Sequence, residues 1–229
     1  FFQICSRMMA QDGTEDGRRL VTSFGRKLIS CGTVDLAMCG VRSFEATDDS
    51  MLAVTSCYTA ACCYFLQVAA MGDGCASLVL EHAAAQGISA DDLQKALMSC
   101  VLRGHAAPAL NQIFEVDTRA AMCVGIIYGR EEDEPGANTV PSVVAKKLLQ
   151  VLVDILHGKS VASASSVADV LLAMSSSDAN VDNLIDHGLL NAIELVLMQT
   201  RDDMADWFEW YKYNVRATRE SCASVLLNL

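Results

Sequence analysis

Ten cysteines and four histidines are the side chains of this 229-residue sequence best equipped for chemistry. A catalytic thiol needs a nearby base and a lowered pKa. A structural zinc needs four thiolate or imidazole ligands, usually supplied by closely spaced pairs. Neither pattern is present. Cys5, Cys31, Cys39, Cys57, Cys62, Cys63, Cys75, Cys100, Cys123 and Cys222 are scattered through apolar stretches, no CxxC occurs, and "CYTAACC" (57–63) has no companion pair. We read them as reduced thiols packed like small hydrophobes. Reduced thiols imply a reducing, intracellular compartment, taken as the cytoplasm.

The histidines are as dispersed. His82 and His187 each follow an acid, Glu81 and Asp186, just before a helix break. That places them at helix C-termini, where their ring nitrogens can meet exposed carbonyls. His105 and His157 have no companion ligands. "GDGCAS" (72–77) offers two glycines but no third glycine or lysine, and it follows a helical pattern where a phosphate cradle follows a strand. Asp48–Asp49, Asp91–Asp92 and Asp202–Asp203 are adjacent pairs whose side chains point apart, and Ser89 before Asp91–Asp92 reads as a helix cap. No catalytic, cofactor-binding or metal-ligating residue is assigned, and the chain reads as no enzyme.

One segment suits binding. "DWFEWYKYN" (206–214) holds both tryptophans, Trp207 and Trp210, with Tyr211 and Tyr213. Trp and Tyr dominate interface hot spots, and Lys212, Arg216 and Arg219 beside them suit an acidic partner. These seven residues are the candidate partner-binding patch. The competing reading is a loop folded back over a pair of helices. The acidic run "REEDE" (130–134) reads as a solvated loop.

Elements that could carry such a patch follow from composition and spacing. The chain is 52% hydrophobic but only 6% aromatic, with three prolines. Its mean hydropathy is +0.28. Abundant Ala and Leu favour helix. The net charge of −11 argues against a nucleic-acid binder, whose affinity rests on Lys and Arg. No apolar run reaches the roughly 18–20 residues of a membrane span. The longest, "YTAACCYFLQVAAM" (58–71), reads as a buried helix, so no membrane insertion is expected.

Internal repetition organises the helices. "VADVLLAM" (167–174) returns as "CASVLLNL" (222–229), with a looser echo in "YFLQVAAM" (64–71). An apolar pair, two variable residues and glycine recur as "LISCG" (28–32) and "LIDHG" (184–188), with the break slipped to Gly87 in a middle copy. Glycine tolerates a left-handed backbone and lets one helix end and the next leave at a steep angle. The spacing predicts helices near 1–10, 16–30, 32–44, 51–71, 74–86, 89–103, 106–129, 141–157, 161–176, 179–187 and 189–200, with a last one from about 215. In that tail Val181, Leu184 and Ile185, then Leu190, Ile193, Val196 and Leu197, then Cys222, Val225, Leu226 and Leu229 form the apolar faces. Inserted loops at 43–50, 130–141 and 200–214 stretch the period to roughly 50–55 residues, above the usual ~40–47. Approximate units are 1–50, 51–105, 106–160 and 161–229.

The stretch "SVASASSVADVLLAMSSSDANVDNLIDHGLLNAIELVLM" (160–198) resembles the armadillo repeat, and "ATRESCASVLLNL" (217–229) resembles the opening of the next long helix. HEAT repeats are the nearest competitor. The resemblance is good over 160–229, fair over 1–44 and weak over 51–157. It implies an all-α, right-handed solenoid of about four three-helix repeats. It further implies a concave groove, lined by the third helices, that binds extended peptides or other proteins. The nuclear-import members carry Trp and, four residues on, Asn along those helices. The matching positions here are Ser224 and Asn228, and Asp169 and Ala173, so binding of basic import signals is not implied. "WYKYN" (210–214) has that spacing but is placed in the loop before the last helix.

The resulting expectation is a non-enzymatic scaffold or adaptor that binds another protein through the groove and the 200–219 segment. One alternative is a fixed structural subunit of a large cytoskeletal or ciliary assembly. Another is a ligand-sensing helical domain of a larger enzyme, which calls for a pocket lined by His or Arg from several helices. The opening "FFQICSRMMA" and the close "SCASVLLNL" read as cut from a longer chain.

Overall fold

The computed structural model describes residues 15–48, 51–105, 115–129, 139–157, 162–198 and 209–229, with the backbone alone at 52–54, 105 and 209–215. Every regular element among them is an α-helix. In chain order these are α1 (Glu15–Ser30), α2 (Thr33–Glu45), α3 (Leu52–Ala70), α4 (Cys75–Ala85), α5 (Ala90–His105) and α6 (Val116–Tyr128). Then come α7 (Ser142–Leu156), α8 (Ala164–Met174), α9 (Asp178–Asp186), α10 (Leu189–Met198) and α11 (Glu209–Leu227). The all-α class expected from composition is what forms. None of the described helices is long and apolar enough to cross a membrane.

Local chemistry explains several ends. Ser89 and Asp92 cap α5 reciprocally: Asp92 N–H donates to Ser89 Oγ (3.1 Å), and Ser89 Oγ donates to Asp92 Oδ2 (2.7 Å). The bond from the Ser89 hydroxyl to the carboxylate holds the Asp92 carboxyl below its usual range. Between α9 and α10, Gly188 has φ 95°, and its predicted counterparts Gly32 and Gly87 have φ 78° and 74°. The glycine-marked breaks are therefore left-handed turns. His187 closes α9, its Nδ1 lying 2.8 Å from the carbonyl oxygen of Asn183, which is the C-terminal role its position suggested.

Two compact units result, Phe1–Ile127 and Tyr128–Leu229. In the first, α2 packs most extensively on α3, α1 lies against α2, α3 and α4, and α2 also lies against α5. In the second, α8 packs on α7 and α11, α10 on α7 and α11, and α9 on α7 and α10. In both units, then, helices three places apart in chain order touch: α1 with α4, α2 with α5, α7 with α10, and α8 with α11.

Four expectations need correction. The last helix starts at Glu209 and not near 215, so "WYKYN" is helical. Nothing from Glu209 to Leu227 is Gly or Pro, and the aromatic residues there cost helix little. The predicted 106–129 helix is interrupted at Glu115, whose φ of 47° cannot continue one; Val116–Tyr128 is helical, and 106–114 lie outside the described residues. Leu190 and Leu197 are not on the buried side of α10, which is formed by Leu189, Ala192, Ile193 and Val196. Ile185, Leu226 and Leu229 likewise face outward, leaving Leu184, Cys222 and Val225 as the buried members of their sets. The helix predicted at 1–10, most of the 130–141 loop and residues 199–208 lie outside the described residues.

Candidate interaction surface

Six of the seven residues of the aromatic–basic segment fall on α11. Trp207 lies outside the described residues, and Trp210, Tyr211, Lys212 and Tyr213 stand in the first turns of the helix. Arg216 is exposed, with its Nε 2.7 Å from Glu220 Oε1 one turn on, so its charge is met within the helix. Arg219 is half-buried.

Farther along, α11 is fixed to α8 by two hydrogen bonds. Ser221 Oγ donates to Asp169 Oδ1 (2.6 Å), and Asn228 Nδ2 donates to Ser175 Oγ (2.9 Å). Between them Cys222 and Val225 are buried, as are Val167, Val170, Leu171 and Met174 of α8. The two echoing segments of the sequence thus sit on helices that pack together. Burial and then the neighbouring Asp169 carboxylate push the Cys222 thiol up to about 11. Asn228 is engaged by Ser175, and Ala173 is buried.

The second unit holds another long-range clamp, which sequence reasoning missed. Asn180 is fully buried; its Oδ1 accepts from Val140 N–H (2.8 Å) and its Nδ2 donates to the Gly129 carbonyl (3.1 Å). Asn183 Nδ2 donates to the Val140 carbonyl (2.8 Å). One short helix therefore pins both flanks of the acidic 130–138 insertion. The signal was faint: two asparagines on a helix that Leu and Asp would have served.

In the first unit, His82 Nε2 lies 2.6 Å from Asp35 Oδ1, joining α4 to α2. His82 stands in the last turn of α4, as predicted, but it serves a carboxylate 47 residues away. Arg103 of α5 reaches the C-terminal end of α2. Its Nη1 donates to the carbonyls of Phe44 (2.6 Å) and Glu45 (2.9 Å), and its Nη2 to that of Thr47. "GDGCAS" is the turn into α4; Asp73 N–H is taken by Thr22 Oγ1 (3.0 Å) and does not face an open cradle.

The cysteines divide by depth. Cys62, Cys63, Cys75, Cys100, Cys123 and Cys222 are buried, whereas Cys31, Cys39 and Cys57 are exposed, which corrects the expectation of core thiols throughout. Cys123 Sγ donates to the Cys63 carbonyl (2.7 Å), and Cys100 Sγ to that of Val41 (3.9 Å). The hydrogen bond with Cys63, then burial, push the Cys100 thiol far up. Cys63 gains from Cys100, but Cys123 and burial outweigh that and leave it well raised. Cys63 and Cys100 are therefore held as neutral thiols. Exposed Cys31 is the opposite case: the Thr33 hydroxyl, 3.1 Å away, lowers its pKa.

Among the described residues no group of three or more His, Cys, Asp or Glu is placed to hold a metal ion. An open recess on α2 is lined by Cys39, Arg42, Ser43, Glu45 and Ala46, all from one stretch of chain. Ligand sites are enclosed, mostly apolar clefts built from several elements. No protein-family model, curated protein or solved structure matches this chain.

Proposed function

We propose that the chain is a non-enzymatic interaction scaffold built of armadillo-like three-helix repeats. It takes a partner protein along a groove lined by third helices and at the aromatic–basic segment Trp207, Trp210, Tyr211, Lys212, Tyr213, Arg216 and Arg219. The observation that supports repeats is the packing of helices three places apart in both units. Six of the side-chain hydrogen bonds between distant residues agree. His82–Asp35, Asp73–Thr22, Arg103–Phe44, Asn180–Gly129, Ser221–Asp169 and Asn228–Ser175 join residues 47 to 59 positions apart. Separations that gather near one repeat length are what stacked units produce, since each unit closes its apolar face on the next. A binding role fits such units, because their chemistry is surface and shape with no reactive centre.

Crosslinking mass spectrometry on the native protein in its cell extract tests this. Links from 200–219 to one defined protein are the expected result. Links from that region confined to its own chain would assign the aromatic residues to packing and remove the adaptor reading.

A second reading, a fixed structural subunit of a large assembly, is favoured by the apolar side chains that α10 turns outward. A permanent interface is more apolar than a transient one. A partner that copurifies in constant ratio and resists high salt would select it.

A further inference from the structure

Helix α10, "LLNAIELVLM", is apolar on both sides. Its inner side, Leu189, Ala192, Ile193 and Val196, is buried within the second unit. Its outer side carries Leu190, Leu195, Leu197 and Met198, exposed by 50%, 46%, 42% and 71%. Leu190 and Leu197 lie on one line of the helix and Leu195 and Met198 on a neighbouring one, so they form a broad stripe with Glu194 and Asn191 inside it. Several large apolar side chains exposed on one side of a short helix mark an interaction site.

The neighbouring helix α9 adds a row of acidic side chains. Asp178, Asp182 and Asp186 occupy every fourth position of α9, which packs on α10, and all three are exposed. Glu194 stands on the outer side of α10 itself, also exposed. Between residues 160 and 200 there is no Lys or Arg. Among the described residues none of these four carboxylates is in an ion pair. Like charges one turn apart repel, and Asp186, in the last turn of α9, opposes the helix dipole. Asp178, in the first turn, suits the dipole; Asp182 and Asp186 break local rules with no compensating ion pair among the described residues, the pattern left by function.

We infer that the outer face of α9 and α10 docks an amphipathic helix whose apolar side meets the Leu/Met stripe and whose flank carries Lys or Arg. Leu and Met adapt their shape to such a helix, and apolar anchors at turn spacing are the usual mode of helix-in-groove recognition. The complementary charge selects the partner and speeds its arrival. The inference rests on the protein-binding reading above but uses a surface other than residues 207–219.

The test uses fluorescence anisotropy with three peptide probes at heptad spacing: Leu with Lys, Leu with Glu, and Ala with Lys. The Leu/Lys probe binds the wild-type chain, and binding weakens about tenfold in the double variant Leu197→Gln/Met198→Gln. It weakens severalfold, with a shallower salt dependence, in Asp182→Asn/Asp186→Asn. The other two probes bind at least about tenfold more weakly. All four substituted side chains are exposed, and circular dichroism checks that the variants stay folded. Equal binding by wild type and Leu197→Gln/Met198→Gln, or preference for the Leu/Glu probe, overturns the proposal. So does self-association of the wild type that Leu197→Gln/Met198→Gln abolishes, since a second copy then covers the face. Crosslinks at 200–219 report on the adaptor patch independently, so either result can fail without the other.

Discussion

Arg103 and Phe44 meet twice. The guanidinium carbon lies 5.6 Å from the Phe44 ring centroid, and Nη1 donates to the Phe44 carbonyl at 2.6 Å. One side chain of α5 thus covers an aromatic face and satisfies carbonyls left open at the end of α2. The planar, multi-donor fork of arginine allows both at once; a lysine ammonium cannot.

Arg103→Ala should therefore destabilise the first unit by about 2–3 kcal/mol, from charge-assisted hydrogen bonds and lost stacking. Arg103→Lys should recover less than half of that. Urea unfolding followed at both variants measures it. A Lys variant as stable as wild type would mean that the positive charge alone matters.

Asn180 gives the second prediction. Its amide serves a donor at Val140 and an acceptor at Gly129 with no exposure to water. Asn180→Ala leaves both backbone groups without that partner and should cost about 2–4 kcal/mol. Asn180→Asp keeps the shape but aims a carboxylate oxygen at the Gly129 carbonyl, so it should be at least as damaging at neutral pH. Thermal unfolding of the two variants decides the order.

How far the sequence could be read depended on what each feature needed. The α9–Gly188–α10 break was legible because a 3.6-residue period stops at a glycine and restarts at once. The Ser89–Asp92 cap was legible for the same local reason. Contacts such as Asp35–His82 and Arg103–Phe44 were not, because each joins residues 47 or more apart and no nearby residue marks the pairing. The inner face of α10 was misread by one position: with Leu at 189, 190, 195 and 197, apolar pattern alone does not choose a side. The start of α11 was hidden by aromatic and charged residues, whose composition suggests a loop and whose helix propensities do not forbid a helix. The candidate site was legible only as a concentration of aromatic residues.

Gln67 of α3 is 1% exposed, and neither its Oε1 nor its Nε2 has a hydrogen-bond partner. A buried amide left so costs its desolvation without return. Gln67→Met, of similar length and shape, should stabilise the first unit by about 1–2 kcal/mol. A loss of stability in guanidinium unfolding would show that the amide has a structural task.

The thiols give a pH prediction. Cys222 ionises near 11 when folded against 9.0 ordinarily. The folded state therefore keeps a proton that the unfolded chain releases first. This stability is fully present below about pH 9, and as pH rises from 9 to 11 it is lost. The loss is on the order of 2 kcal/mol. Cys222→Ser should flatten the fall in that window. Brief maleimide treatment near neutral pH, read by peptide mass spectrometry, should label Cys31 ahead of Cys63 and Cys100.

Two glycines separate strain from crowding. Gly188 has φ 95° with nothing within 4 Å of where a Cβ would sit, so Gly188→Ala meets only backbone strain, about 1 kcal/mol. Gly25 is a residue of α1, but a Cβ there would come 2.6 Å from the Ala69 carbonyl oxygen. Gly25→Ala should gain about 1 kcal/mol of helix propensity and lose more, about 1–3 kcal/mol, by forcing α1 from α3. Asparagine tells the two mechanisms apart. It tolerates the left-handed region, so Gly188→Asn should be milder than Gly188→Ala; Gly25→Asn, larger still, should be worse than Gly25→Ala. If asparagine moved both sites in the same direction relative to alanine, one of the two assignments would be wrong, and the φ of Gly188 makes Gly25 the one to re-examine first.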